Sequence, residues 1–144
     1  MTIKQALKQK NKLVKNIAEN TKLMQQHNSI EVGNQRPYSS TQLYKEIQKD
    51  TQELASLKAK IHIANTPVME DIFWMSEMKS TIAALKKMDC TEGRSNRDRF
   101  RMESEVVLTS EISLVSRNQE IKMLEAKIEE IQDKLDTFNA TTEI

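Results

Sequence analysis

The chain has 144 residues, of which 38% are hydrophobic, 30% charged and 4% aromatic, and its formal net charge is +1. This near-neutral balance argues against a nucleic-acid coat protein, and the single cysteine, Cys90, excludes an intramolecular disulfide framework. No run approaches about eighteen apolar residues and the lysine-rich start lacks the core of a signal peptide, so we expect a cytoplasmic protein. Two glycines and two prolines leave few turns, which favours long helices.

The first predicted helix spans about residues 2–28, which contain neither glycine nor proline. Six lysines against Glu19 alone make it basic, and the simplest explanation is a solvated face that keeps a bundle soluble. Ala6, Leu13 and Leu23 widen one side of its heptad seam, which consists of Ile3, Leu7, Val14, Ile17 and Met24.

Residues 29–40 contain Gly33 and Pro37 and predict a loop, long enough for a short extended arm around Ile30 and Val32. The second helix is predicted over about 41–64, with Ser39 or Ser40 as its cap. Its seam consists of Leu43, Ile47, Leu54, Leu57, Ile61 and Ala64.

The third helix is predicted over about 67–88, with Thr66 as its cap and Pro67 in its first position. Its seam consists of Val68, Ile72, Met75, Met78, Ile82, Leu85 and Met88. A second loop, 89–109, includes the stretch 105–109, which is either a short strand or an extended lead-in to the last helix.

The last helix is predicted over about 110–136, and its seam keeps the 3-4 spacing of a coiled coil: Ile121, Leu124, Ile128, Ile131, Leu135 and Phe138. The apolar final residue, Ile144, suggests a tail laid across a neighbour. Together these elements predict one all-α domain over 1–144, built of antiparallel helical hairpins in a coiled-coil bundle. Four seams exceed what so thin a protomer can bury, so we expect a closed homo-oligomer.

Residues with the spacing of a catalytic or metal site are not apparent. Two glycines cannot form a phosphate-binding loop, and neither His27 nor His62 has a second ligand at metal-binding spacing. Cys90 has no flanking histidine, so a buried or incidental thiol is the simpler interpretation. We expect no enzyme, no cofactor and no metal site.

A cluster of arginines is the first candidate binding feature: Arg94, Arg97, Arg99 and Arg101 hold four of the six arginines, whereas all sixteen lysines lie elsewhere. Guanidinium groups form bidentate hydrogen bonds with phosphate oxygens and stack on bases. Phe100 lies within the cluster, and the Asn96 amide can read a base or ribose edge. The cluster is either a phosphate or nucleotide pocket, or a solvated basic loop that forms inter-subunit ion pairs.

Phe73 and Trp74 are the second candidate, because adjacent residues on a helix cannot both join one seam. The only tryptophan is either a core or interface residue or a platform on which a base stacks.

Short motifs resemble the septicolysin-like family of small helical bacterial and prophage proteins, and they cover nearly the whole chain. They are Ala6-Leu7 and Lys15 with Ile17-Ala18 in the first helix, Ile61 to Thr66, Asp98-Arg99-Phe100 with Glu103, and the ending Leu135 to Ile144. Ala140 departs from the family, which has tryptophan there. Asn16 and Leu23 replace basic residues of relatives, which puts in doubt a second site for cyclic oligonucleotides.

Proteins of this type include phage Thoeris anti-defence sponges, which are hexameric. The resemblance implies a homohexamer built as three dimers that binds a cyclic ADP-ribose immune signal and sequesters it without degrading it. The arginines would hold its pyrophosphate, and the aromatic residues its adenine. The alternative function is a structural or assembly coiled-coil protein, for example of a phage particle, with no small-molecule ligand. Neither function involves a membrane or a nucleic-acid polymer.

Overall fold

The computed structural model describes residues 1–94 and 106–144, and of Arg94 it describes the backbone alone. This part of the chain is mostly helical, which confirms the predicted all-α class. Within it, every helix is too short or too polar to cross a membrane. The elements in chain order are α1 (Ile3–His27), α2 (Ser40–Ala64), a 3-10 helix (Thr66–Val68), α3 (Met69–Lys87), β1 (Gly93–Arg94), β2 (Val107–Leu108) and α4 (Leu114–Thr141).

The chain divides into two compact units. Unit 1 comprises Met1–Val68 with Asp136–Ile144, and unit 2 comprises Met69–Leu135. Unit 1 therefore contains α1, α2 and the end of α4, whereas unit 2 contains α3, the two strands and most of α4.

A capping box starts α1. The Thr2 hydroxyl accepts a hydrogen bond from the Gln5 backbone N–H at 3.2 Å, and the Gln5 side chain accepts one from the Thr2 N–H at 2.9 Å. These bonds satisfy two donors that a helix start leaves without partners. At the other end of α1, the Arg36 guanidinium donates to the carbonyl of Asn28 at 2.8 Å, so the following loop helps to close the helix.

The loop between α1 and α2 contains turns and bends and no strand, although the sequence allowed an extended arm around Ile30 and Val32. Gly33 turns the chain with a φ of 91°, and the Asn34 N–H donates to the Glu31 carbonyl at 3.1 Å. Val32 is fully exposed, so its side chain packs against no other part of the protein.

The two helices of unit 1 run side by side in opposite directions. Near the start of α1, Gln9 donates to Glu53 in the second half of α2, and further along Asn20 donates to Glu46 at 3.4 Å. Ala6, Leu13, Leu57 and Ile61 form the buried core between them, and Leu7, Leu54 and Ile144 pack against it.

Burial corrects the predicted seam of α1. Leu13 is 6% exposed, whereas Val14, which the heptad pattern placed on the seam, is 46% exposed. Ala6 and Leu13 lie seven residues apart and both face α2, so they occupy the seam instead of widening it. The apolar spacing fits two neighbouring faces of α1, and the position of α2 selects one of them.

The tail residue Ile144, for which the sequence suggests a position across a neighbour, is held by its own chain in this structure. Its side chain packs on the core between α1 and α2 of its own chain. Backbone hydrogen bonds hold it there: the Ile144 N–H donates to the Met1 carbonyl at 2.9 Å, and the Ile3 N–H donates to the Thr142 carbonyl at 3.0 Å.

The junction after α2 differs slightly from the prediction. Thr66–Val68 forms a 3-10 turn, in which the Val68 N–H donates to the Asn65 carbonyl at 3.0 Å. Because this turn comes first, α3 begins at Met69, and Pro67 lies in the 3-10 turn and not at the start of an α-helix.

Unit 2 is built around α3 and α4, which run in opposite directions. Lys134 forms an ion pair with Asp71 at the start of α3, and Arg117 donates to the carbonyl of Met88 beyond the end of α3 at 3.5 Å. Among the described residues of this unit, the buried side chains are Met78, Ile82, Ile121 and Leu135. In the ribbon that precedes α4, Gly93 pairs with Leu108 and Arg94 with Val107, antiparallel.

The last helix begins and ends later than the sequence predicted. Ser113 caps it, because its hydroxyl accepts from the Ser116 N–H at 3.1 Å and its carbonyl accepts from the Arg117 N–H at 2.9 Å. The helix continues to Thr141, and the Thr142 N–H donates to the Phe138 carbonyl at 2.9 Å.

Candidate functional site

Two adjacent aromatic rings lie exposed near the start of α3. Phe73 is 62% exposed and Trp74 is 52% exposed. At about 100° per residue, Trp74 lies roughly 40° around the helix from the buried Met78, and Phe73 lies roughly 140° from it. Trp74 therefore stands at the edge of the buried side of α3, and Phe73 stands on the far side.

Acidic groups surround this aromatic pair. Glu70 and Asp71 lie in the first turn of α3, and Glu77 lies one turn after Phe73. Lys134 neutralises Asp71, whereas Glu70 and Glu77 are exposed. A phosphate group next to these carboxylates would be repelled, so the aromatic pair offers a platform for a base and needs cationic groups from another segment to hold a dianion.

Of the arginine cluster, only the Arg94 backbone is described, in β1 opposite Val107. Asn96, Arg97, Arg99, Phe100 and Arg101 lie outside the described residues. From Trp74 to the end of α3 at Lys87, the helix extends about 20 Å, because each residue adds about 1.5 Å. Trp74 lies near one end of α3, and the strand that leads into the cluster follows the other end.

Clefts in unit 1 were not anticipated from the sequence. The first, of about 480 Å³, is lined by Met1, Gln9, Lys49, Gln52, Glu53, Ser56, Leu57, Lys60 and Ile144. A second cleft, of about 370 Å³, shares Lys60 and Ile144 with the first and adds the exposed Ile63. Their lining comes from α1, α2 and the residues at both ends of the chain, and no local motif links positions so distant in sequence.

A separate cleft of about 390 Å³ in unit 1 is lined by Lys4, Leu7, Lys8, Asn11, Asp136 and Asn139. It brings two lysines of α1 close to a carboxylate near the end of α4. The sequence showed both charges without indicating that they are neighbours.

The remaining candidates for chemistry lie apart. The His27 ring lies against the Tyr38 ring with centroids 5.1 Å apart, His62 is in the last turn of α2, and Cys90 is partly buried in unit 2. Across residues 1–94 and 106–144, histidine, cysteine and carboxylate groups do not gather in threes that could hold a metal ion. The described geometry therefore offers the aromatic pair as its clearest binding feature.

Comparison of the chain with protein-family models, with curated proteins and with solved structures found no match. The resemblance to the septicolysin-like family consequently rests on the sequence motifs and stays a prediction.

Proposed function

We propose that this protein binds a cyclic ADP-ribose-derived immune signal in the cytoplasm and sequesters it without degrading it. The observation that carries the proposal is the exposed pair Phe73 and Trp74 on α3, one of which can stack on an adenine. Stacking of a base on an aromatic side chain contributes about 1–3 kcal/mol. The arginine cluster supplies the chemistry for the pyrophosphate, since charge-assisted contacts to phosphate are worth about 1.5–3 kcal/mol each.

Self-association completes this proposed site. Trp74 lies about 20 Å along α3 from the helix end at Lys87, and we propose that the base platform of one chain combines with the arginines of a second chain. A closed homo-oligomer, proposed as a hexamer of three dimers, encloses such a ligand between protomers. Because a sequestering protein acts only by binding the signal, its inhibition of the effector that responds to this signal scales with the number of occupied sites.

A structural or assembly function is the second candidate, and a specific observation favours it. Several apolar side chains of β2 and the start of α4 are exposed in the single chain, including Val107 at 69% and Val115 at 66%. An apolar surface of this kind is suited to a protein interface and needs no ligand. The two functions differ in whether a nucleotide binds.

Calorimetric titration of the wild type with cyclic ADP-ribose isomers tests the proposal. Trp74→Ala is expected to weaken binding by roughly tenfold or more, from the loss of stacking. Tyr44→Ala is the matched control, because Tyr44 is also 52% exposed but lies on α2, and it should leave affinity unchanged. Arg97→Ala should also weaken binding about tenfold, whereas Lys127→Ala, which removes a charge from α4, should not.

Native mass spectrometry of protein purified from cells that produce the signal reports subunit number and retained nucleotide together. The ligand released by heat should be chemically intact. If no isomer binds, the structural function replaces this proposal, and recovery of a linear product would make the protein an enzyme.

A further inference from the structure

One face of α1 carries a regular row of lysines. Lys4, Lys8, Lys12 and Lys15 follow one another at spacings of four, four and three residues, so they lie on one side of the helix, over about 17 Å. All four are exposed, and this side lies roughly 100–180° around α1 from the buried Ala6 and Leu13. Lys15 pairs with Glu19 at 3.7 Å, and the other three form no ion pair with any described residue. We call this row the lysine face.

One side of α4 carries a row of carboxylates with the same spacing. Glu125, Glu129, Asp133 and Asp136 are again separated by four, four and three residues, and all are exposed. The two rows therefore have equal length, equal periodicity and opposite charge. We call this row the acidic face. Asp136, at its end, also lines the 390 Å³ cleft with Lys4 and Lys8 of its own chain.

We propose that the lysine face of α1 docks against the acidic face of α4 in a second copy of this chain. The charges match in register when the two helices run in the same direction. In a two-fold dimer the contact forms twice, because each chain contributes one lysine face and one acidic face.

A second copy fits the lysine face better than a nucleic-acid strand does. The acidic face offers four carboxylates at the spacing of the four lysines, whereas the formal charge of the whole chain is only +1, which gives little general attraction for a polyanion. This inference rests on the self-association in the proposed function and does not depend on its ligand.

The test is a charge swap measured by sedimentation equilibrium in 50 mM and 500 mM salt. Lys8→Glu with Lys12→Glu should weaken self-association roughly tenfold or more at low salt, because attraction becomes repulsion at both copies of the contact. The effect should shrink at 500 mM salt, where charges are screened over a few ångströms. Glu125→Lys with Glu129→Lys should weaken association similarly, and all four substitutions together should restore it.

The matched control is Lys45→Glu with Lys58→Glu. It makes the same change in net charge at exposed positions of α2, outside the lysine face, and should leave association unchanged. Lys8→Glu places a negative charge in the first half of α1, nearer its positive dipole end, so the helix should be retained, as circular dichroism can verify.

The proposal is overturned if the Lys8 and Lys12 variant associates like the wild type at both salt concentrations, or if the fourfold variant fails to recover. It is also overturned if the lysine substitutions abolish binding of a single-stranded oligonucleotide without changing association, since the lysine face would then bind a polyanion. Titration of the same variants with cyclic ADP-ribose separates the two proposals. If the wild type self-associates but binds no cyclic ADP-ribose isomer, the proposed function is contradicted and the docking proposal is not.

Discussion

The substitution Leu13→Ala tests the core of unit 1 and the corrected seam of α1. Leu13 is 6% exposed and lies in the cluster with Ala6, Leu57 and Ile61. Truncation removes three carbons, whose transfer from water is worth about 0.8 kcal/mol each, and leaves a cavity between α1 and α2. We expect the free energy of unfolding to fall by about 2.5–4 kcal/mol.

Val14→Ala is the matched control, one residue along the same helix. Because Val14 is 46% exposed, its truncation should change the free energy of unfolding by no more than about 0.5 kcal/mol, helped by the higher helix propensity of alanine. Heptad spacing alone predicts the opposite, a larger loss of stability for Val14→Ala than for Leu13→Ala.

Urea unfolding followed by circular dichroism measures both. With a denaturant slope of about 2 kcal/mol per molar, Leu13→Ala should lower the midpoint by roughly 1–2 M. The titrations are made at two protein concentrations, because self-association adds to apparent stability. A loss below about 1 kcal/mol for Leu13→Ala, or an equal loss for Val14→Ala, would refute the seam that the structure places at Leu13.

Substitutions at three further positions test the loop and the cap that precede α2. Ser39→Ala should lower the free energy of unfolding by about 1 kcal/mol, because the Ser39 hydroxyl accepts a hydrogen bond from the Gln42 N–H at 3.2 Å. Ser40→Ala should be neutral or stabilising, because the Ser40 hydroxyl is buried with no partner among the described residues. Equal losses in urea titrations of the two variants would contradict this assignment of the cap. Gly33→Ala should lower the free energy of unfolding by about 1–2 kcal/mol, because Gly33 has a φ of 91°, which alanine rarely adopts. No atom lies within 4 Å of an added Cβ, so the cost comes from the backbone conformation, and Gly33→Asn should cost less. An unchanged melting temperature for Gly33→Ala would show that the loop adapts.

Part of the candidate site could be predicted from the sequence, and part could not. Sequence identified the aromatic pair because two adjacent large rings cannot both face one helix seam, and the structure places Phe73 on the far side of α3. Sequence places the aromatic pair and the arginine cluster at separate positions along the chain, and of the cluster only the Arg94 backbone lies among the described residues. It also missed the unit 1 clefts, whose lining residues are far apart along the chain.

Sequence by itself determined the helical class and much of the local pattern of this protein. The scarcity of glycine and proline and the 3-4 spacing of apolar residues are local properties, and so are the seams of α2, α3 and α4. Only the tertiary structure decided that Leu13 and not Val14 faces α2, that Ile144 packs on its own chain and that Asp136 lines the same cleft as Lys4. The physical reason is that periodicity defines a stripe on an isolated helix, whereas burial depends on which other element covers that stripe.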